Sequence, residues 1–302
     1  MSIIIGNIDT KDISVVVQGA ISPSWTRKCL LNIRSYLPGA EIILSTWENS
    51  ITDNLDYDII VKSADPGDSG FQAYLIGHPV VNNGNRQIVS TQEGIKKASR
   101  KYILKIRTDF YLESNNFLKH YDSYNFQESE WKIFSHRVIV SSVFSRNFSD
   151  ANGFPLLFHP SDFFFFGKKE DICDFFLNTP LMKKEEGSDW DYKYPNRLPY
   201  SCLYRYTQEE YLCYSWVKRH KNNIDFQDFT DWSTEKLEYS NNILFNNFIF
   251  LDPKQITLAG PKHEHALNSV INEPFGFITY KIFLQEYTKR FGINENCKEK
   301  LL

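Results

Sequence analysis

The stretch Ile13-Ser14-Val15-Val16-Val17-Gln18-Gly19 decides the fold. Four of its first five residues are β-branched, with no alternation of polar and apolar positions. That is the pattern of a strand buried on both faces, as in a parallel sheet covered by helices. Gln18-Gly19 closes it. Just downstream, Ser24 or Thr26 is placed to cap a helix through Tyr36, with Cys29, Leu30, Ile33 and Leu37 at helical spacing and Pro38-Gly39 as the stop. Residues 41–46 (EIILST) and 58–62 (DIIVK) read as a second and a third strand. Residues 85–98 read as a second helix, with Ile88, Thr91, Ile95 and Ala98 on one stripe, and residues 102–106 (YILKI) as a fourth strand.

This order predicts an α/β fold, a Rossmann-type, mostly parallel sheet flanked by helices. In open sheets of that kind, ligands bind beyond the carboxyl ends of the strands. Three polar clusters fall at such ends: Gln18-Gly19, residues 63–67 (SADPG) and Arg107-Thr108-Asp109. The remainder of the chain is less regular. One or two strands are expected within 132–144, an apolar strand at 162–167 (DFFFFG), a short helix at 169–177 and a firmer one at 208–219. A C-terminal helix is expected at 277–287, with Ile278, Ile282, Phe283 and Tyr287 facing inward. No repeat or linker divides the 302 residues, so one domain over 1–302 is expected, in two parts, 1–125 and 126–302.

A net charge of −3 argues against a general nucleic-acid binder, which needs a basic face. The five cysteines are odd in number, far apart and form no CxxC pair, so neither a zinc site nor a disulfide framework is expected. No stretch is long and apolar enough to span a bilayer, and the start lacks the basic and apolar regions of a signal peptide. A reduced, cytoplasmic protein is expected, with a partner at the membrane surface left open.

Candidate chemistry gathers at the strand ends. Asp109 lies just past a buried strand, where a carboxylate suits a divalent cation that also holds a diphosphate, with Lys105 and Arg107 able to supplement or replace the metal. Asp109 as a turn or cap residue is the bland alternative. Asn85, Arg86 and Gln87 open a helix and suit an anionic or ribose-bearing ligand, or else a solvated first turn. Asp65 in its Pro-Gly turn and Gln18-Gly19 are weaker signals of the same kind. Asp162, beside four phenylalanines, is placed either as a general base toward an acceptor hydroxyl or as a strand-end carboxylate bound to backbone amides. Glu209 and Glu210 complement a helix dipole, and one of them is free to face a cleft. Residues 187–201, with Trp190, Tyr192, Tyr194 and Tyr200 among carboxylates, suit sugar rings or form an ordinary loop. His263 and His265 make only a superficial metal pair.

Five segments in order, ISVVVQGAI, CLLNIRSYLPGAEIILSTWE, DIIVKSADPG, NRQIVSTQEGIKKA and YILKIRTD, followed by HPSDFFFFG and EEYL, resemble the WavE-type lipopolysaccharide-synthesis family over roughly residues 10 to 260. The resemblance implies a bacterial glycosyltransferase of envelope polysaccharide (lipopolysaccharide core, O-antigen or capsule) with a GT-A-like fold. The first 125 residues would then bind a nucleotide sugar, and residues 126–302 would serve the acceptor, an oligosaccharide or lipid-linked saccharide. GT-A enzymes usually carry Asp-x-Asp after a central strand. Here the matching place reads Arg107-Thr108-Asp109, with only the final Asp, so Mn²⁺ or Mg²⁺ on Asp109 and the basic pair Lys105 and Arg107 both stay open. On this resemblance Gln18, Gly19, Asp65, Asn85 and Arg86 line the nucleotide pocket and Asp109 faces the diphosphate. Asp162 is the first choice for the base of an inverting displacement and Glu210 the second. A non-catalytic carbohydrate- or nucleotide-binding module is the alternative. A nucleotidyltransferase fits less well, because neither a second acidic metal ligand near Asp109 nor a basic glycine-rich loop after the first strand is visible.

Overall fold

The computed structural model describes residues 2–68, 72–75, 78–148, 153–183, 205–260 and 276–292. Four parallel strands come from the first part of the chain: β1 (Ile13–Gln18), β2 (Glu41–Trp47), β3 (Ile59–Ser63) and β4 (Tyr102–Arg107). Helix α1 (Pro23–Tyr36) links β1 to β2, and α2 (Gly84–Ile95) lies between β3 and β4. The second part adds β5 (Val138–Ser141), β6 (Phe164–Lys168) and β7 (Phe248–Leu251). The seven strands form one sheet in the order β7-β5-β6-β4-β1-β2-β3. Only β6 runs against its neighbours β4 and β5. The α/β class and the mostly parallel sheet expected from the sequence are what the chain adopts.

The order reverses between β1 and β4. The chain builds β1, β2 and β3 outward on one side, then crosses back through α2 to lay β4 on the other side of β1. Helices on both faces bury the strands, which accounts for the lack of polar–apolar alternation in β1, all six of whose residues are buried. Gly94 lets α2 settle onto the sheet: a Cβ there would lie 2.5 Å from Val16 Cγ1 and 3.0 Å from Ser45 Cβ. In the second part, Phe164 and Phe166 point to one face of β6 against Phe117. Phe165 points to the other, against Phe248 and against Phe175 and Phe176 of α3 (Lys169–Leu177).

Several local expectations are corrected. Helix α1 begins two residues earlier than a Ser24 cap, and four earlier than a Thr26 cap, would allow. Its N-cap is Ser22, with Pro23 preset for the first turn, and the Thr26 hydroxyl accepts from Ser22 N at 3.0 Å. Within 132–144 one strand forms, at residues 138–141, in line with the one or two expected there. The apolar strand begins at Phe164, leaving Asp162 in the loop before it. The C-terminal helix α6 (Tyr280–Phe291) starts where the Thr279 side chain accepts from Ile282 N, three residues later than its apolar spacing predicts. Helix α4 (Gln208–His220) matches the expectation, whereas α5 (Thr234–Asn247) and the edge strand β7 were not foreseen.

Candidate active site

The carboxyl ends of β1 and β4 meet side by side, with Gln18 opposite Arg107 in register. Strand order reverses at this pair, the place where open α/β sheets of this kind take their ligands. Gln18 is buried, and its side-chain oxygen accepts from Ser90 Oγ of α2 at 2.6 Å. Gly19 turns the chain sharply at φ +123°, a conformation that disfavours a side chain. Thr108 N donates to the Gln18 carbonyl at 3.0 Å and Thr108 Oγ1 to the Ala20 carbonyl at 2.6 Å, so the two strand exits are laced together.

On the β4 side, the Arg107 guanidinium grips both oxygens of Asp109, Nε at 2.9 Å and Nη2 at 2.8 Å. The Arg107 plane lies 5.1 Å from the Phe163 ring centroid, and Nη1 stays outside the clamp. Lys105 is fully buried behind this edge, its ammonium donating to the Asp162 carbonyl. Burial pulls the Lys105 pKa down to about 8. On the β3 side, Asp65 Oδ1 accepts from Arg86 Nε at 2.8 Å, and this bond holds the Asp65 carboxyl below its usual range.

Because β6 runs antiparallel to β4, the loop before β6 arrives at this same edge and brings Asp162 with it. The side chain of Asp162 is almost fully buried. Its Oδ2 accepts from Gln208 Nε2 at 3.1 Å, and its Oδ1 has no hydrogen-bond partner among the described residues. A buried carboxylate oxygen left in that state is costly unless a ligand or proton completes it. Gln87 Nε2 donates to the Asp162 carbonyl at 3.4 Å, so α2 and Lys105 hold the Asp162 backbone from two directions.

Glu209, also in the first turn of α4, faces this group. Its Oε2 lies 3.8 Å from His159 Nε2. Burial, then the neighbouring Asp162 charge, pushes the Glu209 pKa up to about 8. Burial pushes His159 down to about 4. Near neutral pH the pair is therefore an uncharged acid facing an uncharged imidazole. His159 Nδ1 sits 2.9 Å from the Phe144 carbonyl, which can only accept, so Nδ1 carries the proton and Nε2 presents a lone pair to Glu209. The backbone is strained on both sides: Phe144 (φ 63°) and Phe158 (φ 53°) take the left-handed conformation that bulky residues rarely adopt.

WavE lipopolysaccharide synthesis is the family whose sequence profile matches here, over residues 13–300. The chain belongs to that family. Its match begins at the first residue of β1 and takes in every strand and helix described above. A comparison with curated proteins gives no match.

Most of the residues singled out from the sequence come to this one edge. Gln18, Gly19, Arg107, Asp109 and Asp162 gather at the switch point, with the Asp65–Arg86 pair along the edge toward β3. Three occupy structural posts. Asn85 clamps the chain at Met182, donating to its carbonyl at 3.1 Å and accepting from its N–H at 2.7 Å. Lys105 is fully buried beneath the strand ends, bonded to the Asp162 carbonyl. Glu210 is fully buried in a capping box: its Oε2 accepts from Thr207 N at 2.9 Å while Thr207 Oγ1 accepts from Glu210 N at 3.2 Å. Of the glutamate pair that sequence reading singled out, Glu209 rather than Glu210 faces this group, and Gln208 and His159 are the polar groups that sequence reading passed over. The Thr207-x-x-Glu210 spacing was a signal, because a capping box takes up the second glutamate and leaves the first available. Residues 187–201, His263 and His265 lie outside the described residues.

Among the described residues no three His, Cys, Asp or Glu side chains come together as a cation cage. Both Asp109 oxygens already face a guanidinium, which is a poor donor set for Mn²⁺ or Mg²⁺. The positive charge at this edge belongs to Arg107, Arg86 and, from beneath, Lys105. No described helix is long and apolar enough to cross a membrane.

Proposed function

We propose that this chain is an inverting glycosyltransferase with a GT-A-like fold. It moves a sugar from a nucleotide-sugar donor to an acceptor of the bacterial envelope polysaccharide: lipopolysaccharide core, O-antigen or capsule. The observation that carries this reading is the buried Asp162, with one oxygen unpartnered among the described residues, beside the clamped Arg107 at the β1/β4 switch point. Family membership supports the envelope-polysaccharide class.

In this reading the nucleotide lies along the edge from the Asp65–Arg86 pair to Gln18-Gly19. The glycine turn lets a ligand approach the backbone closely. Arg107, held in orientation by Asp109, directs Nη1 to the diphosphate. Asp162 Oδ1 takes the proton of the acceptor hydroxyl. The hydroxyl oxygen attacks the anomeric carbon, the bond from that carbon to the donor phosphate breaks, and the nucleoside diphosphate leaves with the electron pair. The transition state is oxocarbenium-like. The arginine charge offsets the charge growing on the leaving group. Gln208, Gln87 and Lys105 keep Asp162 in place, and Glu209 stays protonated so that a second negative charge does not compete beside it. A nucleotide-sugar donor goes with a cytoplasmic reaction, at the inner face of the membrane where the acceptor is lipid-linked.

The test is a thermal-shift screen across UDP-, GDP-, CMP- and dTDP-sugars, followed by donor hydrolysis and transfer assays with the stabilising donor. Turnover that disappears in Asp162→Asn supports the proposal. Saccharide binding without turnover of any donor would mean a binding module instead.

A further inference from the structure

The first turn of α4 carries two acids of different accessibility. Glu210 is taken up by the capping box and fully buried. Glu209 keeps 18% of its side chain exposed, so its proton can exchange with solvent. One residue before it, Gln208 Nε2 donates to Asp162 Oδ2 at 3.1 Å, which ties the start of the helix to the proposed base.

The surroundings favour one protonation state of Glu209. His159 Nε2, 3.8 Å from Glu209 Oε2, presents a lone pair, because the Nδ1 proton goes to the Phe144 carbonyl. An ionised Glu209 sets a lone pair against a lone pair, whereas the acid form can turn its proton to the ring. Asp162 already places a carboxylate in the same corner, and a second negative charge beside it is repelled. The helix N-terminus pulls the other way, toward the ionised form. Burial and the Asp162 charge outweigh it, and Glu209 releases its proton only at about 8.

Among the described residues, the charged and titratable groups that face Glu209 come from four elements. They are Asp162 and His159 from the loop before β6, Lys105 and Arg107 from β4, Arg146 from the loop after β5, and Glu210 from α4 itself. Arg107 and, from beneath, Lys105 supply the positive charge at this end of the edge. An ionised Glu209 would neutralise part of that charge from within the protein.

We propose that Glu209 is a positioning residue that works only while it carries its proton, and that losing this proton closes the edge to a diphosphate. The proposal rests on the transferase reading above. In the acid form Glu209 meets the His159 loop, which also bears Asp162, through an uncharged contact and leaves the Arg107 charge to the donor. In the ionised form it competes for Arg107 and Lys105 and repels the donor phosphates.

The experiment titrates UDP-glucose, GDP-mannose and dTDP-glucose into the full chain, Glu209→Gln and Glu209→Ala by calorimetry from pH 6.5 to 9. Comparison with the variants at each pH cancels any titration of the ligand itself. For a sugar nucleotide that binds the parent, affinity is expected to fall roughly tenfold by pH 9, one unit above the Glu209 midpoint. Binding at pH 8 should take up about half a proton, read from two buffers of different ionisation heat. Glu209→Gln stays neutral and keeps a donor toward His159, so it should show neither the fall nor the uptake. Glu209→Ala should also lack the fall, but bind roughly threefold more weakly than Glu209→Gln at pH 6.5. A fall that persists unchanged in Glu209→Gln belongs to Lys105 and overturns the proposal. Equal binding by the Gln and Ala variants at pH 6.5 overturns the positioning role. If no sugar nucleotide binds at any pH, the transferase reading fails, and the pair is read from the Asp162 carboxyl carbon by NMR, assigned by its loss in Asp162→Asn. Its resonance should shift as Glu209 ionises in the parent and lose that step in Glu209→Gln. A resonance that behaves alike in both proteins overturns the pairing itself.

Discussion

Arg107 and Asp109, two residues apart at the end of β4, are joined by two parallel hydrogen bonds of 2.9 and 2.8 Å. The fork geometry fixes the guanidinium plane and occupies both carboxylate oxygens. Asp109 therefore acts at this edge by aiming an arginine. An asparagine offers one acceptor and cannot complete the fork. Asp109→Asn is expected to fold normally and to raise the donor KM roughly tenfold. If Arg107 offsets the leaving-group charge as proposed, the parent chain treated with EDTA should keep its rate within about twofold. A rate that collapses in EDTA and returns with Mn²⁺ would refute this assignment.

In the proposed mechanism Asp162 is the base. Asp162→Asn preserves the Gln208 contact in shape but removes the proton acceptor. Its kcat is expected to fall roughly 10²–10⁴-fold, with the donor-induced thermal shift retained. Loss of the shift together with the rate would instead make Asp162 a binding residue.

Gly19 tests the backbone turn at the end of β1. Its φ of +123° and the 3.2 Å separation between a Cβ built there and Thr108 Oγ1 leave no comfortable place for a methyl group. Gly19→Ala should destabilise the chain by about 1–3 kcal/mol in urea denaturation. An unchanged midpoint would show that the turn adapts freely.

His159 and Glu209 give opposite pH signatures. His159 titrates near 4 when folded against an ordinary 6.5, so its contribution to stability is present above pH 6.5 and is lost as pH falls through 4. Glu209 titrates near 8 when folded against an ordinary 4.5, so its contribution is present below pH 4.5 and is lost as pH rises through 8. Each proton changes stability by at most about 1.4 kcal/mol per pH unit. Denaturation midpoints at pH 4.5, 6.5 and 8 should show the parent gaining on His159→Gln between the first two. Against Glu209→Gln, the parent should lose ground across the whole range. Differences that run in the same direction would mean that burial does not govern this pair.

What the amino-acid order determined by itself is local. Ile13–Gln18, Glu41–Trp47 and Tyr102–Arg107 are runs whose β-branched and aliphatic side chains suit a strand covered on both faces, and the helices between them carry apolar stripes. That periodicity needs only near neighbours, so the parallel sheet and the polar clusters at its strand ends were legible before any coordinates. The tertiary structure decided which polar groups face one another there. Asp162 meets Lys105 and Gln208 from 57 and 46 residues away. Glu209 and Glu210 differ in role only because the Thr207 capping box buries one and the His159 loop meets the other. Burial and long-range juxtaposition set the cost of each charge, and neither quantity is contained in the spacing of adjacent residues.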